Sequence, residues 1–177
     1  MQKTDKIKKE FKQFYAEGVS KRFGGLQAVD DFSMEMDTGD IVGIIGPNGA
    51  GKTTVFNLIT GMAIPDSGKI YFERDYIEGK PPHEISRMGI ARTFQNIRLL
   101  DYLTVLENIK IAYHRHISYN IIDAFLRLPG YFSAEKEITE KSFEFLRVFG
   151  LEDLAYEPAS SLPYGKRRKL EIARAVA

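Results

Sequence analysis

Cysteine is absent from the 177-residue sequence, and so is any long apolar run. Without cysteine the chain has no thiolate nucleophile, no disulfide and no cysteine ligand for zinc, which is compatible with a reducing compartment. The longest clean apolar stretch, residues 41–45, is interrupted by Gly43 and is far shorter than the roughly 18 residues that a membrane-spanning helix needs. The lysine-rich residues 1–12 are followed by no apolar segment typical of a secretory signal. If the protein serves a membrane, we expect it to do so from outside the bilayer.

A strong net charge is also lacking, because 25 Lys and Arg residues against 24 Asp and Glu residues leave a formal charge of +1. This balance argues against a protein that coats nucleic acid nonspecifically, so no nucleic-acid partner is expected. Hydrophobic residues make up 44% of the chain, which is enough for an ordinary globular core and excludes intrinsic disorder. The length accommodates one domain or two small lobes.

The first part of the chain carries α/β patterns, and we place an α/β lobe with antiparallel additions over residues 1–95. The alternation of Phe32, Met34 and Met36 predicts a strand. Residues 40–45 are apolar on both faces, as in a buried parallel strand, and a glycine-rich turn follows directly. Further strands are predicted at residues 69–72 and 90–94, and helices at about residues 52–61 and 81–88.

The remainder, residues 96–177, has helical periodicity and is predicted to form a helical lobe. Thr104 and Glu107 make a capping box in front of an apolar helix. A second helix is expected over about residues 133–149, and a third begins near Lys166. An apolar stripe at helical spacing either docks a partner or covers its own lobe, with self-packing the favoured interpretation. Its members are Ile117, Ile121, Ile122, Phe125 and Leu126.

A string of nine residues between the predicted buried strand and the first helix begins with the eight-position phosphate-binding pattern G-x-x-x-x-G-K-[ST]. They are Gly46, Pro47, Asn48, Gly49, Ala50, Gly51, Lys52, Thr53 and Thr54. The glycines let backbone N–H groups turn toward phosphate oxygens, and the helix N-terminus adds partial positive charge. Lys52 supplies a point charge for the β- and γ-phosphates, and the Thr53 hydroxyl is a hard oxygen ligand for Mg²⁺. The sequence therefore predicts a nucleotide polyphosphate site.

The loop pattern by itself leaves several protein classes open. A glycine-rich turn can match it by accident, although the flanking strand and helix patterns make chance a minor alternative. Transporter ATPases, GTPases, kinases and helicases all use such a loop. A kinase or GTPase is the least favoured class, because we find no base-reading or acceptor motif in the sequence.

The nine-residue string resembles the Walker A motif of ABC-transporter ATP-binding subunits, and three further features of that family occur in the family's order. Phe23 stands where the family has an aromatic residue that stacks on adenine, although an aromatic at a strand end is as often a packing residue. Gln95, at the end of the string Arg-Thr-Phe-Gln, resembles the Q-loop glutamine. The resemblance implies that its amide binds Mg²⁺ or the attacking water and senses the membrane partner. An ordinary polar loop residue is the alternative.

The third feature is a segment that resembles a degenerate LSGGQ signature, formed by Leu162, Pro163, Tyr164, Gly165 and Lys166. In the family this motif contacts the γ-phosphate of ATP bound to a second subunit. Pro163 departs from the pattern, because it has neither the serine hydroxyl nor a backbone N–H for that contact. The successive cations of residues 166–169 oppose the dipole of the predicted helix, which a bound anion would relieve. A solvated basic face is the favoured interpretation of this run.

Among ABC subunits, the chain most resembles the ATP-binding subunits of branched-chain amino acid importers, over residues 14–177. The resemblance implies a P-loop ATPase fold, ATP and Mg²⁺ as cofactors, and transport of branched-chain amino acids. It also implies a head-to-tail dimer with a second ATP-binding subunit and contact with transmembrane permease subunits. Such a subunit is cytoplasmic and is held at the inner face of the membrane through the permease. The segments that carry the resemblance are residues 22–29, 89–95, 103–108, 164–165 and 170–174.

The family's Walker B carboxylates and its late histidine have no counterpart that we can assign. No run of four apolar residues ends in Asp-Glu, and His83, His114 and His116 do not follow a late apolar strand. In the family these groups steady Mg²⁺, activate water and contact the γ-phosphate. We therefore expect an N-terminal fragment with an incomplete sheet, which binds Mg-ATP but hydrolyses it poorly or not at all. A noncatalytic nucleotide-binding sensor or assembly module is the alternative function.

Overall fold

The structure, a computed structural model, describes residues 13–113 and 129–177. The lysine-rich residues 1–12 and the predicted apolar stripe of residues 117–126 lie outside the described residues. The chain forms two compact units, Met1–Ile90 and Ala91–Ala177, each with its own hydrophobic core. Within the two described ranges, no helix is both long and apolar enough to cross a lipid bilayer.

The first unit contains an antiparallel sheet with the strand order β2-β1-β3-β4. A tight turn at Gly24, whose φ of 56° favours glycine, joins the first two strands into a hairpin. The predicted strands around residues 32–36 and 69–72 are confirmed, and so are the antiparallel additions. The four strands are Phe14–Phe23 (β1), Leu26–Met36 (β2), Ser67–Phe72 (β3) and Asp75–Tyr76 (β4).

Two short helices complete the first unit, Lys52–Ile59 (α1) and Pro82–Arg87 (α2). Both were expected, although each is shorter than its predicted range. Val55 and Leu58 of α1 and Ile85 of α2 are buried in the same core as the inner face of the sheet. Burying each such side chain stabilises the unit by about 1.5–3 kcal/mol, which attaches α1 firmly to its sheet.

Two predicted strands, at residues 40–45 and 90–94, are wrong: neither segment forms a β-ladder with any described strand. Ile41 is fully exposed and Ile45 is 93% exposed, so the segment that feeds the nine-residue loop lies on the surface of its unit. A parallel strand needs neighbours on its edges, and all pairings in the described sheet are antiparallel and involve other segments. Apolar composition marks residues suited to burial, but only partner strands create a ladder.

The regular elements of the second unit, within the described residues, are helices. The capping box is confirmed, because Thr104 N–H and Oγ1 donate to Glu107 Oε2 at 2.8 and 2.9 Å while Glu107 N–H donates to Thr104 Oγ1 at 3.2 Å. Short 3₁₀ turns at Glu152–Leu154 and Ala159–Ser161 connect the last two helices. The three helices are Val105–Tyr113 (α3), Pro129–Val148 (α4) and Tyr164–Val176 (α5). Their core includes Val105, Ile109, Leu146, Leu151 and Leu170, all with no exposed surface.

Candidate functional site: a phosphate loop, an aromatic hairpin and a helix-bound glutamine loop

The nine-residue loop ends in α1, and the Lys52 side chain folds back over it. Lys52 Nζ donates to the carbonyl oxygens of Gly46 and Pro47 at 2.7 and 2.6 Å. An ammonium group has three donors, so two are satisfied by the loop itself and one remains for a further acceptor. Asn48 and Ala50 are exposed, and Ala50 N–H donates to Pro47 O at 3.2 Å to close the turn. The ammonium is thereby held at the mouth of an exposed loop.

Two glycines give the loop its shape, for different reasons. Gly49 has φ of 85° with open space around it, whereas Gly51 has φ of 80° at the position that caps α1. A Cβ added at Gly51 would lie 2.1 Å from the carbonyl oxygen of Ala28 in β2. The start of α1 therefore approaches β2 so closely that only glycine fits there. This contact joins the loop to the end of the β1–β2 hairpin.

The N-terminus of α1 fits an anion. No side chain caps it, and its first turn carries no acidic residue, so its leading N–H groups have no partner within the helix. Thr53 is exposed in this turn and Thr54 is partly buried. A polyphosphate would find backbone donors, an ammonium and a hydroxyl together here, and the Thr53 hydroxyl suits Mg²⁺, which prefers oxygen ligands. The polyphosphate site stays a prediction, and these are the groups that would hold it.

Phe23 lies at the end of β1, directly before the hairpin turn, with 51% of its surface exposed. Lys21 Nζ sits 5.5 Å from the centre of its ring. The Asp66 carboxylate accepts hydrogen bonds from Lys21 Nζ and from Arg22 N–H, each at 2.7 Å. The hydrogen bond from Lys21 holds the pKa of Asp66 below its ordinary value. In the β1–β2 register, Phe23 is paired with Leu26. Leu26 lies two residues before Ala28, whose carbonyl approaches Gly51. The structure thus places an exposed aromatic ring and the phosphate loop in one unit.

Gln95 belongs to the second unit, where it is exposed in a bend rather than at the end of a strand. Its neighbour Phe94 is held by α5: Phe94 N–H donates to Glu171 Oε1 at 3.2 Å, and Arg168 Nη1 donates to Phe94 O at 2.6 Å. The guanidinium carbons of Arg92 and Arg98 also lie 4.9 and 4.2 Å from the centre of the Phe94 ring. Burial, and then the charge of Arg98, lowers the pKa of Arg92. Sequence reasoning missed all of these contacts, and the spacing of Arg168 and Glu171 on α5 was the only signal available.

The signature-like segment forms the start of α5. Leu162 is buried, Pro163 is the residue before the helix, and Tyr164 is 72% exposed as the first helical residue. Gly165 has nothing within 4 Å of an added Cβ, so the helix N-terminus is sterically open there. Its first N–H groups, those of Tyr164 and Gly165, lack partners within the helix. Pro163 contributes no donor of its own.

The basic run at the start of α5 is largely engaged within the second unit. Lys166 Nζ donates to Gly150 O at 3.1 Å, Arg167 pairs with Asp101, and Arg168 pairs with Glu171. Lys169 is exposed. Three of the cations therefore have internal acceptors, which argues for a structural role of this run over a direct role in phosphate binding.

The sequence and the fold are both similar to those of known proteins. The family model described as ABC transporter matches residues 29–177. A high-affinity branched-chain amino acid transport ATP-binding protein, BraF of Pseudomonas aeruginosa, is 42% identical over 157 residues, which is 89% of this chain and 62% of that protein. LivG of Escherichia coli K12, with the same description, is 43% identical over the same shares. A probable LivG of Archaeoglobus fulgidus is 41% identical over 163 residues, 90% of this chain and 61% of its own. The chain thus spans about three fifths of the length of these relatives.

Solved structures give the same result for the fold. A nucleotide-free ATP-binding cassette from an ABC transporter aligns with a TM-score of 0.76 and 36% identity, over 93% of this chain and 64% of that one. An ATP-binding cassette of an ABC transporter in its ADP conformation aligns over the same shares with a TM-score of 0.76 and 35% identity. The predicted α/β P-loop fold class is confirmed.

Proposed function

This chain belongs to the ABC transporter family, and we propose that it is the nucleotide-binding part of the ATP-binding subunit of a branched-chain amino acid importer. The observation that carries the proposal is the Lys52 ammonium, held over the loop carbonyls at the uncapped N-terminus of α1. The names of its relatives favour transport over a noncatalytic sensor or assembly module. In such a subunit, ATP binding and hydrolysis drive a membrane permease.

The nucleotide site is assigned from the first unit. The backbone of residues 46–54 cradles the phosphates, and Lys52 redirects its donors from the loop carbonyls to the β- and γ-phosphates. Phe23 offers its exposed face for stacking on adenine, with Lys21 fixed by Asp66 on one side of the ring. Thr53 supplies an oxygen for Mg²⁺, which when bound neutralises phosphate charge.

The second unit supplies the contacts to partners. We assign Gln95 to the binding of Mg²⁺ or of the attacking water and to the sensing of the permease. The signature-like segment, with Leu162, Tyr164, Gly165 and Lys166, faces ATP held by a second subunit in a head-to-tail dimer through the exposed Tyr164 and Gly165, while Leu162 is buried and Lys166 donates to Gly150 O. The open N-terminus of α5 supports this role, while the missing donor at Pro163 makes the contact depend on the Tyr164 and Gly165 N–H groups. A subunit of this kind is peripheral at the cytoplasmic face of the membrane.

Hydrolysis by these 177 residues alone is expected to be weak or absent. The sequence contains no Asp-Glu pair after an apolar strand to hold Mg²⁺ and activate water. Phosphate binding requires only the loop and α1, both of which are formed. Binding and turnover are therefore expected to separate in this chain.

The test is Mg-ATP binding, by calorimetry, with parallel measurement of phosphate release. The variant is Lys52→Ala, and the matched control is Lys80→Ala, which removes a lysine of the same unit that lies 4.0 Å from Glu84. We expect the wild type and the control to bind without turnover, and Lys52→Ala to bind at least about 10-fold more weakly, since a charge-assisted hydrogen bond is worth about 1.5–3 kcal/mol. Equal binding by all three would overturn the proposed site. Turnover that depends on Lys52 would show that a carboxylate elsewhere in the chain activates water.

A further inference from the structure

Asp66 binds the last residues of β1 through both its side chain and its backbone. Its carboxylate accepts hydrogen bonds from Lys21 Nζ at Oδ1 and from Arg22 N–H at Oδ2, each at 2.7 Å. Its own backbone N–H donates to Ser20 O at 2.9 Å. Consecutive residues of β1 are therefore held by one residue that is distant in the sequence but belongs to the same unit.

These bonds lie where β3 no longer accompanies β1. The pairing of the two strands reaches Ser20 and Ser67, and β3 begins at Ser67, whereas β1 continues to Phe23. Beyond Ser20, no described strand accepts the N–H groups on the β3 side of β1. Edge donors of this kind otherwise bond to water or to another chain. The Asp66 carboxylate supplies the acceptor for Arg22, so the end of β1 is held by β2 on one side and by Asp66 on the other.

The segment that carries Asp66 is the continuation of α1. It passes through Gly61, where an added Cβ would lie 2.5 Å from Lys80 O, and β3 begins directly after Asp66. The start of α1 contacts the hairpin too, because Gly51 approaches Ala28 O in β2. Each strand of the hairpin is thus attached to the α1 region, β2 at the start of the helix and β1 after its end. Together these attachments fix the tip of the hairpin relative to the phosphate loop.

Phe23, the last residue of β1, depends on the same contact. Side chains two residues apart on a strand lie on one face, and Lys21 Nζ is 5.5 Å from the centre of the Phe23 ring. The Lys21 side chain is only 16% exposed, whereas Phe23 is 51% exposed. The hydrogen bond to Asp66 holds the ammonium on one side of the ring. A base that stacks on Phe23 therefore meets the other side.

Stability alone is a weak reason for a carboxylate at this position. An ion pair whose carboxylate is half exposed contributes little to the free energy of folding, because water screens it and the lysine side chain loses freedom. What the carboxylate adds is two acceptor oxygens, one for a backbone N–H and one for an ammonium. Asp66 thereby specifies where the end of β1 lies and which side of the Phe23 ring stays open.

We propose that Asp66 is a positioning residue for the base of the nucleotide. It holds the end of β1 and the Lys21 ammonium so that Phe23 stands at one place relative to the phosphate loop before nucleotide arrives, which avoids the cost of ordering the ring on binding. This role rests on the proposed function, because it takes Phe23 as the residue that stacks on adenine. Asp66 itself needs to touch neither base nor phosphate. Its effect is therefore confined to ligands that carry a base.

The test is calorimetry of the full 177-residue chain with two ligands, Mg-ATP and Mg-tripolyphosphate, of which the second has phosphates but no base. The variant is Asp66→Asn, which keeps the shape but has one acceptor oxygen in place of two. The matched control is Glu84→Gln, because Glu84 is also a half-exposed carboxylate of the first unit and lies beside Lys80. Phe23→Ala measures the contribution of stacking. The double variant of Asp66 and Phe23 shows whether the carboxylate acts through the ring.

We expect Phe23→Ala to weaken Mg-ATP binding by about 10-fold, as the loss of one aromatic stack does. Asp66→Asn should weaken it by about 3-fold or more, while both variants bind Mg-tripolyphosphate as the wild type does. In the Phe23→Ala background, Asp66→Asn should cause no further loss, which a merely structural role would not produce. Glu84→Gln should match the wild type with both ligands. Lys21→Met, which keeps the stem and removes the ammonium, should also lose affinity for Mg-ATP alone, and it decides if Asp66→Asn does not fold.

Three results would overturn the positioning role of Asp66. They are unchanged Mg-ATP binding by Asp66→Asn, an equal loss for the two ligands, and a loss of full size in the Phe23→Ala background. Failure of the proposed function looks different, because Phe23→Ala would then bind Mg-ATP as the wild type does, or the wild type would bind neither ligand. The positioning role would fall with it. A loss in Phe23→Ala without a loss in Asp66→Asn removes the role of Asp66 alone.

Discussion

Substituting the two loop glycines by alanine separates backbone conformation from steric contact. Gly49 and Gly51 have nearly the same φ, 85° and 80°, and lie two residues apart in the same loop. They differ in their surroundings: an added Cβ meets nothing within 4 Å at Gly49, but lies 2.1 Å from Ala28 O at Gly51. Gly49→Ala is therefore the matched control for Gly51→Ala.

The magnitudes follow from this difference. A left-handed conformation costs an alanine about 1–2 kcal/mol at either position, and the smaller backbone entropy of the unfolded alanine chain offsets about 0.4–1 kcal/mol equally in both. At Gly51 the Cβ and the Ala28 carbonyl must also move apart by about 1 Å, an overpacking that typically costs about 1–3 kcal/mol. Gly51→Ala should thus be less stable than Gly49→Ala by roughly 2 kcal/mol. For a chain of this size that difference corresponds to about 4–8 °C in Tm.

The assay measures the unfolding of the first unit in urea, together with the binding of a fluorescent ATP analogue. Gly51→Ala should lower the unfolding midpoint more than Gly49→Ala and should bind nucleotide more weakly, because the start of α1 is displaced from its loop. Equal midpoints for the two variants would refute the close approach between α1 and β2. Unchanged nucleotide binding by Gly51→Ala would refute the assignment of the α1 N-terminus to phosphate.

Three further predictions concern local features. Thr104→Ala should destabilise the second unit by about 1 kcal/mol in urea unfolding, because the capping box loses its hydroxyl; an unchanged midpoint would contradict this. Hydrogen bonds from the Thr104 N–H, and then from its hydroxyl, lower the pKa of Glu107 below its ordinary value of 4.5. The ionised Glu107 therefore contributes fully to the stability of the fold above pH 4.5, and this contribution is lost as the pH falls through the lowered pKa of the folded state. Glu107→Gln should therefore flatten the acid limb of the stability profile, and parallel profiles would count against the idea. The exposed Ile41 and Ile45 should make the chain self-associate, and replacing both by Lys should shift light-scattering mass toward the monomer; a wild type that is already monomeric would disprove this.

Local signals in the sequence were sufficient for several parts of the molecule. The phosphate loop consists of nine adjacent residues whose glycine, lysine and hydroxyl positions carry the chemistry by themselves, and α1 follows where the pattern places it. The capping box at Thr104 likewise depends on residues three apart, so its geometry could be predicted. Periodicity predicted strands in the first part of the sequence and helices in the second.

Contacts between distant residues could not be predicted in the same way. Residues 40–45 have the composition of a buried strand, yet all of them except Ile44 are exposed, because a ladder requires neighbours that composition does not specify. The approach of Gly51 to Ala28 depends on how α1 packs on β2. The basic run of residues 166–169 looked like an anion site or a solvated face, and its acceptors at Asp101 and Gly150 became visible only in the folded unit.

The sequence by itself determined that the chain carries a phosphate loop before a helix, and its motifs sufficed to identify the family, because these features depend on neighbouring residues. Only the tertiary structure decided that Glu171 and Arg168 hold the Phe94 peptide. The physical reason is that a hydrogen bond requires two groups within about 3 Å, and no local pattern records which distant backbone group a side chain will reach. The placement of Gln95 beside α5 is therefore a property of the fold.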